Sequence, residues 1–123
     1  MKLLLIIGLG GGAGSILRYL MQVAVNRLIP ALAFPLGTFI VNITGCFLIG
    51  LFYGLSVKHA WFTDEWRLLL ITGLCGGYTT FSSFSYESMS LITEGHFLYF
   101  GLYVCLSVLL GLCATWLGYM LLR

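Results

Sequence analysis

The sequence predicts an all-α integral membrane protein with four transmembrane helices, the third of which is broken near Gly76–Thr80. Three observations predict this fold class. First, 60% of the 123 residues are hydrophobic and only 8% are charged, whereas soluble domains carry about 25% charged residues. Second, the chain divides into four apolar stretches, each of about the length that crosses a bilayer. Third, one of these stretches contains a glycine-flanked polar run.

The four helices use nearly the whole chain, so residues 1–123 are predicted to form a single transmembrane domain. The predicted helices cover residues 3–28, 36–57, 66–92 and 97–122. Pro30 and Pro35 bracket the first turn, because proline interrupts a helix. The most polar stretch forms the second connection, and Thr93–His96 form the third. A net charge of +2 with scattered basic residues offers no patch for nucleic acid.

The polar run in the third helix extends from Gly76 to Ser85 and contains five hydroxyl residues, Thr79, Thr80, Ser82, Ser83 and Ser85. Paired glycines weaken a helix, and freed backbone within a bilayer is tolerated only where protein covers it or where it lines a polar cavity. A break here would create two half-helices. The N-terminus of the second half favours anions, and the last carbonyls of the first half favour cations. We therefore expect an ion site at the break.

Two other helices carry a narrow stripe of polar or small residues, whose spacing of four places them on one face. The stripes are Thr38, Asn42 and Cys46 in the second helix, and Tyr103, Ser107, Gly111 and Thr115 in the fourth. Either these groups bond between helices, each bond contributing about 0.6 kcal/mol, or they line a pathway. Two stripes beside a polar break favour the pathway. Neutral hydroxyl and amide donors suit an anion that must lose its water.

Three further kinds of residue could serve such a pathway, and each has a structural alternative. Phe81 and Phe84 share a helix face; their rings either pack against lipid and core or contact an anion through their positive edges. Glu87 is the only acid well inside a span, where it is either functional or a structural hydrogen-bonding group. Arg18 either extends its guanidinium to the membrane surface or lines an anion vestibule.

Glycines recur four residues apart, a spacing that lets membrane helices approach closely. The pairs are Gly8 and Gly12, Gly10 and Gly14, Gly50 and Gly54, and Gly73 and Gly77. Four helices packed this tightly enclose little space alone, which predicts an oligomer. Four Lys and Arg residues on the side of the termini, against one or two on the other, indicate that both termini lie inside. The four cysteines, Cys46, Cys75, Cys105 and Cys113, are interpreted as free thiols in apolar spans.

Four stretches of the chain resemble the Fluc (CrcB-type) family of fluoride channels. They are Gly11–Ser15 followed by Arg18 and Tyr19, Pro35–Thr38 leading to Asn42 and Gly45, Gly73–Ser85, and Glu87. The resemblance implies an antiparallel, dual-topology homodimer with two fluoride pores in the cell membrane. It also implies passive export of fluoride from the cytoplasm, which lowers its toxicity. Because the charge bias is larger than dual topology favours, pairing with a second, oppositely oriented subunit stays an alternative.

The same resemblance implies roles for individual residues. Phe81 and Phe84 match the family's phenylalanine box, and Asn42 matches its pore asparagine. A structural sodium ion is implied at the dimer centre, held by the main-chain carbonyls of Gly76 and Thr79. Candidates for replacing the water of fluoride are Thr38, Asn42, Ser82, Ser83, Tyr103, Ser107 and Thr115.

A membrane protein of this composition has two alternative functions. A small multidrug-type exporter, coupled to protons, also has four helices, but that chemistry needs a membrane-embedded acid in the first helix, which here carries Arg18 and no Asp or Glu. A non-transporting scaffold would explain the glycines but not the run of hydroxyls and phenylalanines. No set of nucleophile, base and orienting group is present, so an enzyme is not expected.

Overall fold

The computed structural model describes residues 1–123 and contains only helices and their connections. Helix α1 spans Lys2–Leu28 and α2 spans Leu36–Lys58. The third span is divided into α3, which runs from Asp64 to Tyr78, and α4, Phe81–Thr93. Helix α5 spans Phe97–Leu122. The four predicted helices, with the third one broken, are therefore present.

Helices α1, α2 and α5 are each long and apolar enough to cross a membrane. The break lies within the predicted range Gly76–Thr80. It occurs at Thr79 and Thr80, which are extended, while the paired glycines Gly76 and Gly77 are helical. In addition, Arg67–Cys75 within α3 form a π-helix, whose hydrogen bonds join residues five apart. Such stretches are rare and are frequently found at functional sites.

Glycines bring the helices together in two pairs. Between α1 and α3, a Cβ on Gly10 would overlap the Leu69 carbonyl, and one on Gly77 would overlap the Gly11 carbonyl. Between α2 and α5, a Cβ on Gly50 would overlap the Thr115 carbonyl. Helix backbones are therefore in direct contact, as the spacing of four predicted.

One glycine pair does not follow this prediction. Nothing lies within 4 Å of a Cβ built on Gly8 or Gly12. A helix with glycines at positions 8, 10, 12 and 14 presents them on different faces, and α3 covers only the face of Gly10 and Gly14. Within one chain, the face of Gly8 and Gly12 is uncovered.

Candidate functional site

The break between α3 and α4 is an extended link of two residues. Thr79 has ψ 157°, and Thr80 has φ −149° and ψ 118°. The Thr80 hydroxyl oxygen caps α4 by accepting a hydrogen bond from the Ser83 N–H at 3.2 Å. Threonine is a common residue at this position for that reason. The N-terminus of α4, with its partial positive charge, therefore begins in the middle of the span.

Asn42 of α2 holds the break in place with two hydrogen bonds. Its Oδ1 accepts from the Thr80 N–H at 2.8 Å, and its Nδ2 donates to the Thr80 carbonyl at 3.1 Å. Because an amide nitrogen carries two hydrogens, one N–H of Asn42 remains for another partner. Two residues farther along α2, the hydroxyls of Thr44 and Tyr78 are hydrogen-bonded at 2.9 Å. Helix α2 thus forms hydrogen bonds to the last residue of α3 and to the break itself.

The carbonyl oxygens at the end of α3 lack their helical partners. The Thr80 N–H donates to Asn42, so the Gly76 carbonyl loses the donor that a continuous helix would supply. The Thr79 carbonyl accepts no backbone hydrogen bond; Arg18 Nη1 donates to it at 3.4 Å. Arg18 therefore points toward the break. Free carbonyls at a helix C-terminus are suitable ligands for a cation.

A cavity of about 530 Å³ lies beside the break. Its lining includes Asn42, Thr80, Phe81, Phe84 and Ser107. The Ser107 hydroxyl oxygen is buried and has no hydrogen-bond partner. A buried hydroxyl without a partner costs free energy. Its presence indicates a site where a polar ligand would supply the missing hydrogen bond. None of these five side chains carries a formal charge.

The two phenylalanines are arranged in a short aromatic series. The ring centroids of Phe81 and Phe84 lie 5.8 Å apart with an interplanar angle of 38°. The Phe84 ring lies 5.1 Å from that of Tyr103. Phe84 is half-buried, whereas Phe81 is 79% exposed. The series therefore runs from the protein surface to the buried Tyr103.

Glu87 is at the centre of a second polar group. The Thr38 hydroxyl donates to its Oε1 at 2.7 Å, and the Tyr103 hydroxyl donates to its Oε2 at 2.8 Å. Gln22 Nε2 in turn donates to the Thr38 hydroxyl at 3.1 Å. The group joins α1, α2, α4 and α5. Gln22 was not among the predicted site residues, although an amide in an apolar span is the signal that indicated Asn42.

This second group borders a separate cavity of about 310 Å³, beneath the connection between α1 and α2. Gln22, Thr38 and Glu87 contribute to its lining. Thr38 and Asn42 are one turn apart on α2, so a single face of this helix connects the two cavities.

The remaining predicted residues lie elsewhere. The hydroxyls of Ser82 and Ser83 bond to the Thr80 hydroxyl at 3.3 and 3.2 Å, at the start of α4. The Thr115 hydroxyl donates to the Gly111 carbonyl of its own helix at 3.0 Å, and Thr115 lines neither cavity. Of the stripe on α5, the structure therefore brings Tyr103 and Ser107 to the other site residues but not Thr115.

Comparisons with known proteins agree over nearly the whole chain. A family model described as CrcB-like protein, Camphor Resistance (CrcB), matches residues 5–119. The Fluoride-specific ion channel FluC of Flavobacterium psychrophilum is 50% identical over 118 residues, which cover 96% of this chain and 94% of that protein. The proteins of that name from Bacteroides fragilis and Phocaeicola vulgatus are 51% and 49% identical, over 96% of this chain and 94% and 96% of theirs. This multi-pass membrane protein therefore belongs to the CrcB-like family.

Proposed function

We propose that this protein is a fluoride-selective channel of the cell membrane that lets fluoride leave the cytoplasm passively. The observation that carries the proposal is the uncharged cavity at the start of α4, where the Ser107 hydroxyl has no partner beside Asn42 and the two phenylalanines. The name shared by its relatives, fluoride-specific ion channel, supports the same function. The small multidrug-type alternative has no support, because α1 has no acidic residue.

The mechanism follows from the chemistry of a small, strongly hydrated anion. Ser107 and the second N–H of Asn42 donate hydrogen bonds that replace water, and the edges of Phe81 and Phe84 add weak positive potential. The N-terminus of α4 contributes in the same sense. Because no full positive charge lines this cavity, the ion is not trapped. An inside-negative membrane potential favours its exit by about 2.3 kcal/mol per 100 mV.

Four of the other predicted hydroxyls take the ion beside this cavity. Thr38 and Tyr103 lie at the cavity beneath the first connection, with Glu87 as their shared acceptor. Ser82 and Ser83 stand at the start of α4. Thr115 has no part in this step, because its hydroxyl bonds within α5 and lines neither cavity. Exchange of the Thr38 and Tyr103 hydroxyls between Glu87 and fluoride would pass the anion along without a fixed positive charge.

The working unit is proposed to be an antiparallel homodimer. The outer face of α4 exposes Phe81, Ser82, Ser85 and Tyr86 at a depth where lipid would otherwise surround them. Hydroxyl groups facing hydrocarbon are unfavourable, so a second copy of the chain is the cover that fits this face. An antiparallel arrangement is what the family resemblance implies.

A structural sodium ion is proposed where two such chains meet. The Gly76 and Thr79 carbonyls fit this role, because Gly76 is exposed and both oxygens lack backbone donors from the following turn. Arg18 would give up its bond of 3.4 Å to Thr79 when the ion binds. Replacement of sodium by N-methylglucamine should lower the melting temperature of the detergent-purified protein. An unchanged melting temperature would contradict the sodium site.

The channel itself is tested in liposomes that hold the purified protein and fluoride. A fluoride electrode should record rapid release, while the same vesicles loaded with chloride should show little leak. Release of both ions alike would contradict the selectivity. Absence of release from well-folded dimers would contradict the proposal and direct the search toward a partner subunit.

A further inference from the structure

Arg18 is a basic side chain that reaches the break from α1. Its Nη1 donates to the Thr79 carbonyl at 3.4 Å, and the Ser15 hydroxyl, three residues earlier, donates to the Gly77 carbonyl at 3.5 Å. Residues three apart share a face of a helix. One face of α1 therefore supplies side-chain donors to two carbonyls at the end of α3 that accept no backbone hydrogen bond.

Close packing of α1 against α3 sets the position of this side chain. A Cβ on Gly14 would overlap the Leu74 carbonyl and would come within 2.8 Å of the Tyr78 nitrogen. Arg18 follows Gly14 by about one turn of α1, so its side chain begins near the last turn of α3 and is half-buried. The contact between the two backbones therefore holds the guanidinium at the break.

No carboxylate balances the charge of Arg18. The ion pairs of the protein join Lys2 with Glu65 and Glu94 with His96, and the Arg18 guanidinium has no hydrogen bond other than the one to the Thr79 carbonyl. An arginine cannot lose its proton in a protein, and a charge within a membrane span needs a partner. The negative C-terminal end of α3 is therefore the counter-charge of Arg18.

We propose that Arg18 competes with sodium for the Thr79 carbonyl, so that its guanidinium takes the place of the ion while the site is empty. This inference rests on the sodium site of the proposed function. Both cations need the same oxygen, and like charges repel strongly at short range inside a protein. Arg18 therefore raises the sodium concentration at which the site fills, because only the fraction of the protein with a free carbonyl can bind the ion.

Sodium titrations of the melting temperature test this competition independently of transport. Sodium chloride replaces N-methylglucamine chloride at constant ionic strength in the buffer of the detergent-purified protein. Arg18→Gln keeps a polar side chain but removes the charge, so its half-maximal rise should occur at a sodium concentration at least about fivefold lower than that of the wild type. Arg18→Met should show the same shift, which keeps the test available if the glutamine variant does not fold.

Two control variants separate competition from general effects of charge and packing. Arg27→Gln removes the same charge from the exposed last turn of α1, and Ser15→Ala removes a neutral donor from the Gly77 carbonyl. Both should keep the half-maximal sodium concentration of the wild type. An unchanged value in the Arg18 variants, or an equal shift in either control, would overturn the inference and leave the sodium site in place. If neither the wild type nor any variant responds to sodium, the sodium site fails and the inference with it, whereas fluoride efflux still decides the channel function.

Discussion

The Asn42 side chain takes the place of two backbone partners for Thr80. Its Oδ1 and Nδ2 pair with the N–H and carbonyl of Thr80 at 2.8 and 3.1 Å, much as a neighbouring strand would. Backbone groups inside a membrane need such partners, because no water can replace them. A residue chosen from the sequence as a donor to an ion is thus also the group that allows the helix to be broken.

Replacement of Asn42 by alanine should therefore destabilise the fold as well as reduce flux. Two backbone groups of Thr80 would lose their partners, which lowers the free energy of unfolding by about 2–4 kcal/mol. Unfolding in detergent measures this change. Ser56→Ala is the matched control on α2, because its hydroxyl bonds only to the Tyr53 carbonyl of the same helix, and it should change stability by less than about 0.5 kcal/mol. Equal stability of the two variants would contradict this role of Asn42.

The aromatic pair should matter for flux more than for assembly. Phe81→Ile and Phe84→Ile keep apolar volume but remove the ring edges, so each should lower fluoride efflux at least about tenfold while the dimer survives. Efflux and size-exclusion chromatography measure the two effects. Phe97→Ile is the control, because Phe97 is 66% exposed at the start of α5, away from both cavities. Normal flux in both pathway variants would remove the phenylalanines from the mechanism.

The Glu87–Tyr103 contact should give a measurable coupling energy. In a double-mutant cycle of Glu87→Gln and Tyr103→Phe, we expect about 0.5–3 kcal/mol of interaction, because the Tyr103 hydroxyl donates directly to the Glu87 carboxyl. Unfolding in detergent supplies the four free energies. Thr93→Ala serves as an uncoupled partner for Glu87→Gln, since its hydroxyl bonds only to the Ser90 carbonyl. Additive effects in the Glu87–Tyr103 cycle would show that the contact is not formed.

Close packing of α2 and α5 predicts opposite results for two glycines. Gly50→Ala should destabilise the protein by about 1–3 kcal/mol, as overpacking does, because its Cβ would overlap the Thr115 carbonyl. Gly101→Ala should leave stability unchanged or raise it by up to about 1 kcal/mol, because nothing lies within 4 Å of the added carbon. Melting temperatures distinguish the two. A tolerated alanine at position 50 would contradict the close contact.

The fold could be predicted because hydrophobic length and proline positions determine where each span begins and ends. The break occurs within the predicted range Gly76–Thr80, but at Thr79 and Thr80 and not at the paired glycines from which it was predicted. Gly77 has a packing role instead, since its missing side chain admits the Gly11 carbonyl of α1. A glycine has two physical uses, flexibility and close approach, and the sequence does not distinguish them.

For the site, the sequence predicted only which residues share a face of a helix. Spacing placed Thr38 and Asn42 on one face of α2, and the structure shows both beside cavities. Spacing did not identify their partners, because these come from other helices: Gln22 on Thr38, and the Thr80 main chain on Asn42. The π-helix further changes the register of α3, so an ideal helical period could not orient Cys75 toward the cavity that it lines.

Because of that π-helix, the geometry of the site also depends on how many residues the stretch contains. Arg67–Cys75 hold more residues per turn than an α-helix would. Removal of a single apolar residue from this stretch would leave composition and membrane crossing intact and would let it relax to an α-helix. Every side chain beyond it would then turn by about 100°, which would carry the Thr79 carbonyl away from Arg18 and Thr80 away from Asn42. In this stretch the number of residues constrains the protein as well as their identity.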